Sequence, residues 1–150
     1  MPFCYVRTIR FHETDAAGVV YFANFLTLCH EAYEASLAES AVELKGFFSG
    51  SAGIAFPIVH TAADFFQPLR CGDAIAITLT ASLLTDHSFE VSYRITRALD
   101  PQSARPLATA ITRHVCINTT DRRRHRLPTF LLHWIEMLAE PGADASVADG

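Results

Sequence analysis

Hydrophobic and polar positions divide the chain into one early strand, one long helix and a succession of four strands. Phe3, Tyr5, Arg7, Ile9 and Phe11 alternate with Cys4, Val6, Thr8 and Arg10, a period of two that predicts a strand over residues 3–11. A polar break from His12 to Asp15 and the small run Ala16-Ala17-Gly18 end it in a tight turn. From about Phe22 to Glu39 the period lengthens. Thr27, His30, Glu31 and Glu34 recur at three and four, a narrow polar stripe on an otherwise apolar helix. Such a helix is expected to be deeply buried, with Asn24 capping its first turn. Residues 42–56, with Gly46, Gly50 and Gly53, are expected to be loop.

Four strands are then predicted over 58–66, 74–84, 88–97 and 107–118. They are punctuated by Gln67-Pro68, by Cys71-Gly72-Asp73 and by Asp100-Pro101. In the third of them, Phe89, Val91, Tyr93 and Ile95 share one face. A basic run, Arg122 to Arg126, precedes a short amphipathic helix over 129–138. The expected fold class is α+β: one antiparallel five-stranded sheet wrapped around one apolar helix. Residues 1–139 form a single domain, and 140–150, small and polar, a disordered tail. The sheet's edges invite a partner, so dimerisation by sheet continuation is expected.

Composition narrows the function. Half of the 150 residues are hydrophobic, enough for a real core. A net charge of −4 disfavours a nucleic-acid or anionic-membrane binder. No stretch is apolar for the ~18 residues a membrane span needs, and residues 1–10 do not read as a signal peptide. Cys4, Cys29, Cys71 and Cys116 lie far apart within apolar or strand-like runs and read as buried, reduced thiols of a cytoplasmic protein. His30-Glu31-x-x-Glu34 lacks the second His of a zinc helix, and no metal is expected.

The chemistry concentrates in residues 13–25. Asp15 ends a strand, small residues follow, and the chain enters a buried helix whose first N–H groups lack partners. Those donors and the helix dipole favour developing negative charge, so a carbonyl held there is polarised. Asp15 can then attack it or deprotonate a water. On spacing alone, an Asp capping the helix is the more ordinary reading.

The residues themselves are more specific. Thr14-Asp15-x-x-Gly18-x-Val20-Tyr21-Phe22-x-Asn24 resembles the signature of the 4-hydroxybenzoyl-CoA thioesterase family, and Phe65-Phe66-Gln67-Pro68-Leu69 with Cys71-Gly72-Asp73 is similar to that family's aromatic–Pro–Gly-Asp step. Cys29 to Glu34, Pro57 to His60 and His114 to Ile117 look like its cyanobacterial branch, the 1,4-dihydroxy-2-naphthoyl-CoA hydrolases of phylloquinone (vitamin K1) synthesis. Together these cover roughly residues 3–138.

The resemblance implies a hot dog fold and hydrolysis of an aromatic acyl-CoA, with no bound cofactor because CoA belongs to the substrate. It implies Asp15 as the catalytic carboxylate, nucleophile or general base. It also implies that the Phe22 backbone N–H binds the thioester carbonyl and that Gly18 permits close approach to the backbone. A homotetramer of paired dimers follows by the same resemblance. The site is expected at the dimer interface, since one small sheet cannot surround both acyl group and CoA.

Further pocket candidates are Glu31 on the helix, and His60 and Asp64 on one face of the second strand, able to hydrogen-bond a ring hydroxyl. Phe65 and Phe66 alternate, so only one, Phe65, is expected to line a pocket. Arg122, Arg123 and Arg124, and Arg113 within the last strand, are candidates for the CoA phosphates. Structural or solvated roles compete at each of these positions. Two rivals stand beside the main reading: a relative acting on 4-hydroxybenzoyl-CoA or a short-chain acyl-CoA, and a non-catalytic acyl-CoA binding module.

Overall fold

The computed structural model describes residues 1–142; of the tail expected over 140–150, residues 143–150 lie outside the described residues. Strand β1 (Phe3–Thr8) pairs antiparallel with β4 (Ala74–Thr85), Phe3 opposite Leu79 and Thr8 opposite Ala74. With β3 (Ile58–Phe65), β5 (Ser88–Arg97) and β6 (Ala108–Val115), they form one five-stranded antiparallel sheet in the order β1-β4-β5-β6-β3. Helix α1 (Asn24–Glu39) lies against it. The inner residues Ile75, Ile77 and Leu79 of β4 and Phe89, Val91, Tyr93 and Ile95 of β5 are all buried.

The expected burial of α1 is observed. Phe25, Leu28, Cys29, Ala32, Tyr33, Ser36 and Leu37 are inaccessible, and the polar stripe stays half-exposed. A C-terminal helix, α3 (Thr129–Met137), closes the far end. Its Trp134 is buried and donates Nε1–H to Ser36 Oγ at 3.2 Å, so the largest core side chain arrives with its polar atom satisfied.

Several boundaries differ from the pattern. β1 stops at Thr8, and Phe11–Glu13 form a 3-10 turn that leaves Phe11 exposed. The segment 42–56 is not all loop. Leu44–Ser49 form a short helix, α2, because the Glu43 carboxylate accepts the Gly46 N–H at 2.6 Å and Gly50 takes a left-handed conformation at its end. Ile54–Ala55 form a two-residue strand, β2, paired with β7 (Ile117–Asn118). The last long strand is accordingly two, broken at Cys116, whose N–H bonds to the His87 carbonyl. Asn24 does not cap α1: the cap position is Ala23, and the Asn24 side chain reaches back to the Glu13 carbonyl. Of the four thiols, Cys29 and Cys116 are buried while Cys4 and Cys71 are exposed, since alternation and a surface turn point them outward.

Candidate active site

Between β1 and α1 the chain folds back on itself as a small hairpin. Thr14 and Val20 form its bridge, and the Asp15 N–H donates to the Val19 carbonyl at 2.9 Å. The turn Asp15-Ala16-Ala17-Gly18 closes with the Gly18 N–H on the Asp15 carbonyl at 3.0 Å. Gly18 sits at φ +79°, a conformation L side chains rarely adopt. A Cβ there would meet nothing nearer than Arg70 Nη1 at 4.0 Å, so backbone conformation, not crowding, calls for glycine. Below the bridge, the Tyr21 N–H donates to the Glu13 carbonyl at 3.0 Å, and α1 begins three residues later.

This hairpin exposes Asp15. The Ala17 N–H donates to Oδ1 at 2.8 Å, and among the described residues Oδ2 has no hydrogen-bond partner. On the other leg, Phe22 lies two residues before α1 begins, and its N–H has no acceptor among the described residues. Asp15 and Phe22 both line one cleft of about 470 Å³, bounded by Val19 to Phe22, Phe25 and Phe65 to Leu69. Its walls are aromatic: the Tyr21 and Phe22 rings lie 4.8 Å apart, and Phe25 and Phe65 4.6 Å. Phe22 and Phe66 are 61% and 60% exposed, an apolar surface of the kind that marks a binding site. Both Phe65 and Phe66 line it, contrary to the alternation expected of them. β3 ends at Phe65, and the N–H groups of Phe66 and Gln67 both turn to the Leu107 carbonyl, releasing Phe66 from the strand.

The other sequence candidates do not join this cleft within one protomer. His60 and Asp64 lie on the face of β3 opposite Phe65 and are exposed. Arg113 pairs across the ladder with His60 and binds Glu90 at 2.7 Å on that same outer face. It lies five residues from the cleft end of β3, roughly 17 Å at the usual strand rise. Arg122, Arg123 and Arg124 sit at the end of the molecule where β2 meets β7, because Asn118 and Arg122–Arg123 close a turn there. Glu31 faces a separate recess with Tyr5, Arg7, Arg10 and His12 and binds Arg7 at 2.6 Å.

Sequence patterning passed over Arg7, Glu13 and Arg70. Arg7 is on the inward-facing row of β1 and is nearly buried between Glu13 and Glu31. Glu13 is buried too. The available signal was a charge at an inward position of an otherwise apolar alternation. Arg70 places a guanidinium beside Gly18 at the cleft's rim.

The opposite side of α1 holds a buried polar chain. Tyr93 and His114 both bond the Thr112 hydroxyl, at 3.2 and 2.8 Å, and His114 Nδ1 lies 3.3 Å from the Phe56 carbonyl. Burial pushes the His114 imidazole down to about 4, against the Phe56 hydrogen bond, and pushes the Cys29 thiol up to about 12. A second cavity of about 380 Å³, walled by Phe47, Phe56, Phe130 and Trp134, lies at this end. Its Glu43 is committed to capping α2.

A five-stranded antiparallel sheet around one long helix, with an acid-bearing turn at the helix entrance, is the hot dog architecture. Residues 9–135 match the thioesterase-like superfamily, and the chain belongs to it. It is 52% identical over 132 residues to a 1,4-dihydroxy-2-naphthoyl-CoA hydrolase of Rippkaea orientalis, covering 88% of this chain and 94% of that one. The corresponding protein of Nostoc punctiforme is 47% identical over 136 residues, 91% of this chain and 88% of the relative. A crystal structure of a 1,4-dihydroxy-2-naphthoyl-CoA thioesterase from Synechocystis superposes with a TM-score of 0.83 at 40% identity, spanning 94% of this chain and all of the other.

Proposed function

We propose that this chain is an acyl-CoA thioesterase that hydrolyses 1,4-dihydroxy-2-naphthoyl-CoA to the free acid and CoA, a step serving phylloquinone synthesis. Support comes from relatives of that activity matched over most of the chain. The observation carrying the chemical part is that Asp15 and Phe22 line one aromatic cleft, and that among the described residues one Asp15 carboxylate oxygen and the Phe22 N–H have no hydrogen-bond partner. In this reading the thioester carbonyl accepts the Phe22 N–H, which stabilises the oxyanion as it forms. Asp15 then either attacks the carbon, giving an anhydride that water opens, or takes a proton from the attacking water. Either route consumes one water, breaks the C–S bond and returns a proton to the departing thiolate. CoA enters as part of the substrate, so the scheme needs no metal or further cofactor.

The assembly belongs to the same proposal. One protomer's cleft is open beside β3, an edge strand exposed along nearly its whole length, and half of a larger site fits that geometry. We expect a homotetramer of paired dimers, with His60, Asp64, Arg113 or the 122–124 run reaching the CoA or ring of a neighbouring protomer. Four free cysteines suit the cytoplasm, and among the described residues no helix is long and apolar enough to cross a membrane.

The test is Asp15→Asn, assayed by release of CoA thiol from the purified naphthoyl thioester. A fall in kcat of roughly 10²-fold or more is expected for loss of the acid–base or nucleophilic group. Wild-type turnover would sink the assignment of Asp15. Rates on naphthoyl, 4-hydroxybenzoyl and butyryl thioesters, compared as kcat/KM, should rank the naphthoyl substrate first; a higher value for either of the others overturns the choice of acyl group.

A further inference from the structure

Glu13 is the point where three elements meet around the proposed reactive pair. Its carbonyl accepts the Tyr21 N–H at 3.0 Å, the rung directly beneath the hairpin, and the Asn24 side-chain amide at 2.9 Å, in the first turn of α1. Its carboxylate accepts the Arg10 N–H at 2.7 Å and the Arg7 guanidinium. Asp15 lies two residues beyond Glu13 on one leg, and Phe22 one residue beyond Tyr21 on the other. The rung therefore stands between the two residues in the hairpin's ladder, with the Asp15 N–H on the Val19 carbonyl as the next rung toward the turn.

Arg7 extends the constraint. Its guanidinium fork joins Glu13 to Glu31, which stands seven residues, about two turns, beyond Asn24 along α1. The helix is thus tied to the hairpin's base at two places along its length, and it can neither slide nor rotate without breaking a charged contact. Burying a cation on the inner row of β1 and a carboxylate in the turn after it is costly compared with apolar packing. We infer that Arg7 and Glu13 are positioning residues that fix Asp15 against the Phe22 N–H. This rests on the reading of that pair given above.

Displacement of reacting groups by about 1 Å can cost as much as 10²-fold in rate. Glu13→Gln keeps the side chain's shape and the backbone rung but removes the charge that Arg7 grips. The expected outcome is a kcat at least tenfold lower, with KM for the naphthoyl thioester within threefold of wild type. Arg7→Met should reproduce that split. The double variant should be no slower than the slower single, because both remove one coupled unit. Circular dichroism checks folding, and if Arg7→Met does not fold, Arg7→Lys replaces it with an expected kcat between wild type and Glu13→Gln.

Wild-type kcat in Glu13→Gln while Asp15→Asn is inactive would overturn this inference and leave the proposed function standing. Losses that multiply in the double variant, or appear in KM alone, would overturn it equally. Full turnover by Asp15→Asn would remove the reading beneath it.

Discussion

Gly18 isolates a question that single residues can answer. Its positive φ and the empty space around the missing Cβ predict that substitution costs conformational energy and no steric clash. Gly18→Ala should lose about 1–2 kcal/mol in denaturant unfolding, the usual penalty for a left-handed L-residue. Gly18→Asn should lose less, because its side chain tolerates that region. Equal losses would mean that backbone conformation is not the reason for glycine. At this scale the candidate site was legible where its residues are local: Asp15, Gly18 and Phe22 lie within eight consecutive positions, and a short motif captures them. Glu13 and Arg7 were not legible because their meaning depends on facing each other across a fold. A strand pattern reports which way Arg7 points but not what neutralises it. Phe66 was misread for a related reason, since alternation holds only while the strand lasts.

Among elements, the long helix and the four later strands were evident, because their apolar periodicity is long enough to outweigh local irregularity. Helix α2 was not, since six residues interrupted by Gly46 carry almost no period and the element depends on the Glu43 cap. The pairing of α1 with the sheet also makes a titration prediction. His114 stacks on Phe89 at 4.7 Å and packs beside Tyr33, with its second nitrogen on the Thr112 hydroxyl. Burial holds its folded pKa near 4 against an ordinary value of 6.5. Below 6.5 the unfolded chain therefore takes up a proton that the folded chain refuses. The stability contribution is full above pH 6.5 and is lost progressively as pH falls toward 4, on the order of 3 kcal/mol in all. His114→Gln should flatten that limb when unfolding free energy is followed from pH 7 to 4. An unchanged slope would remove His114 as its cause.

For the whole molecule, the decisive surface is β3. Ile58, Val59, Phe65 and Phe66 are 44–60% exposed along an unpaired edge that also borders the Asp15 cleft. Sedimentation should find an oligomer, and Val59→Glu, placing charge on that edge, should shift it toward monomer and lower activity together. A fully active monomer would separate the site from assembly. The expectation of dimerisation came from sheet edges in general. Which edge borders the cleft could not be read without the strand order, because β3 precedes β4 in the chain yet lies at the opposite side of the sheet from β1.

The hairpin has one more consequence. Acid and amide come from a single stretch, residues 15–22, while the facing wall comes from residues 65–69, more than forty positions away. Descendants of such a chain can reshape the cleft through changes in the distant wall and inherit the proposed reactive pair untouched. An insertion between Tyr21 and Phe22 has no comparable freedom, for it would move the proposed N–H donor away from the Glu13–Tyr21 rung.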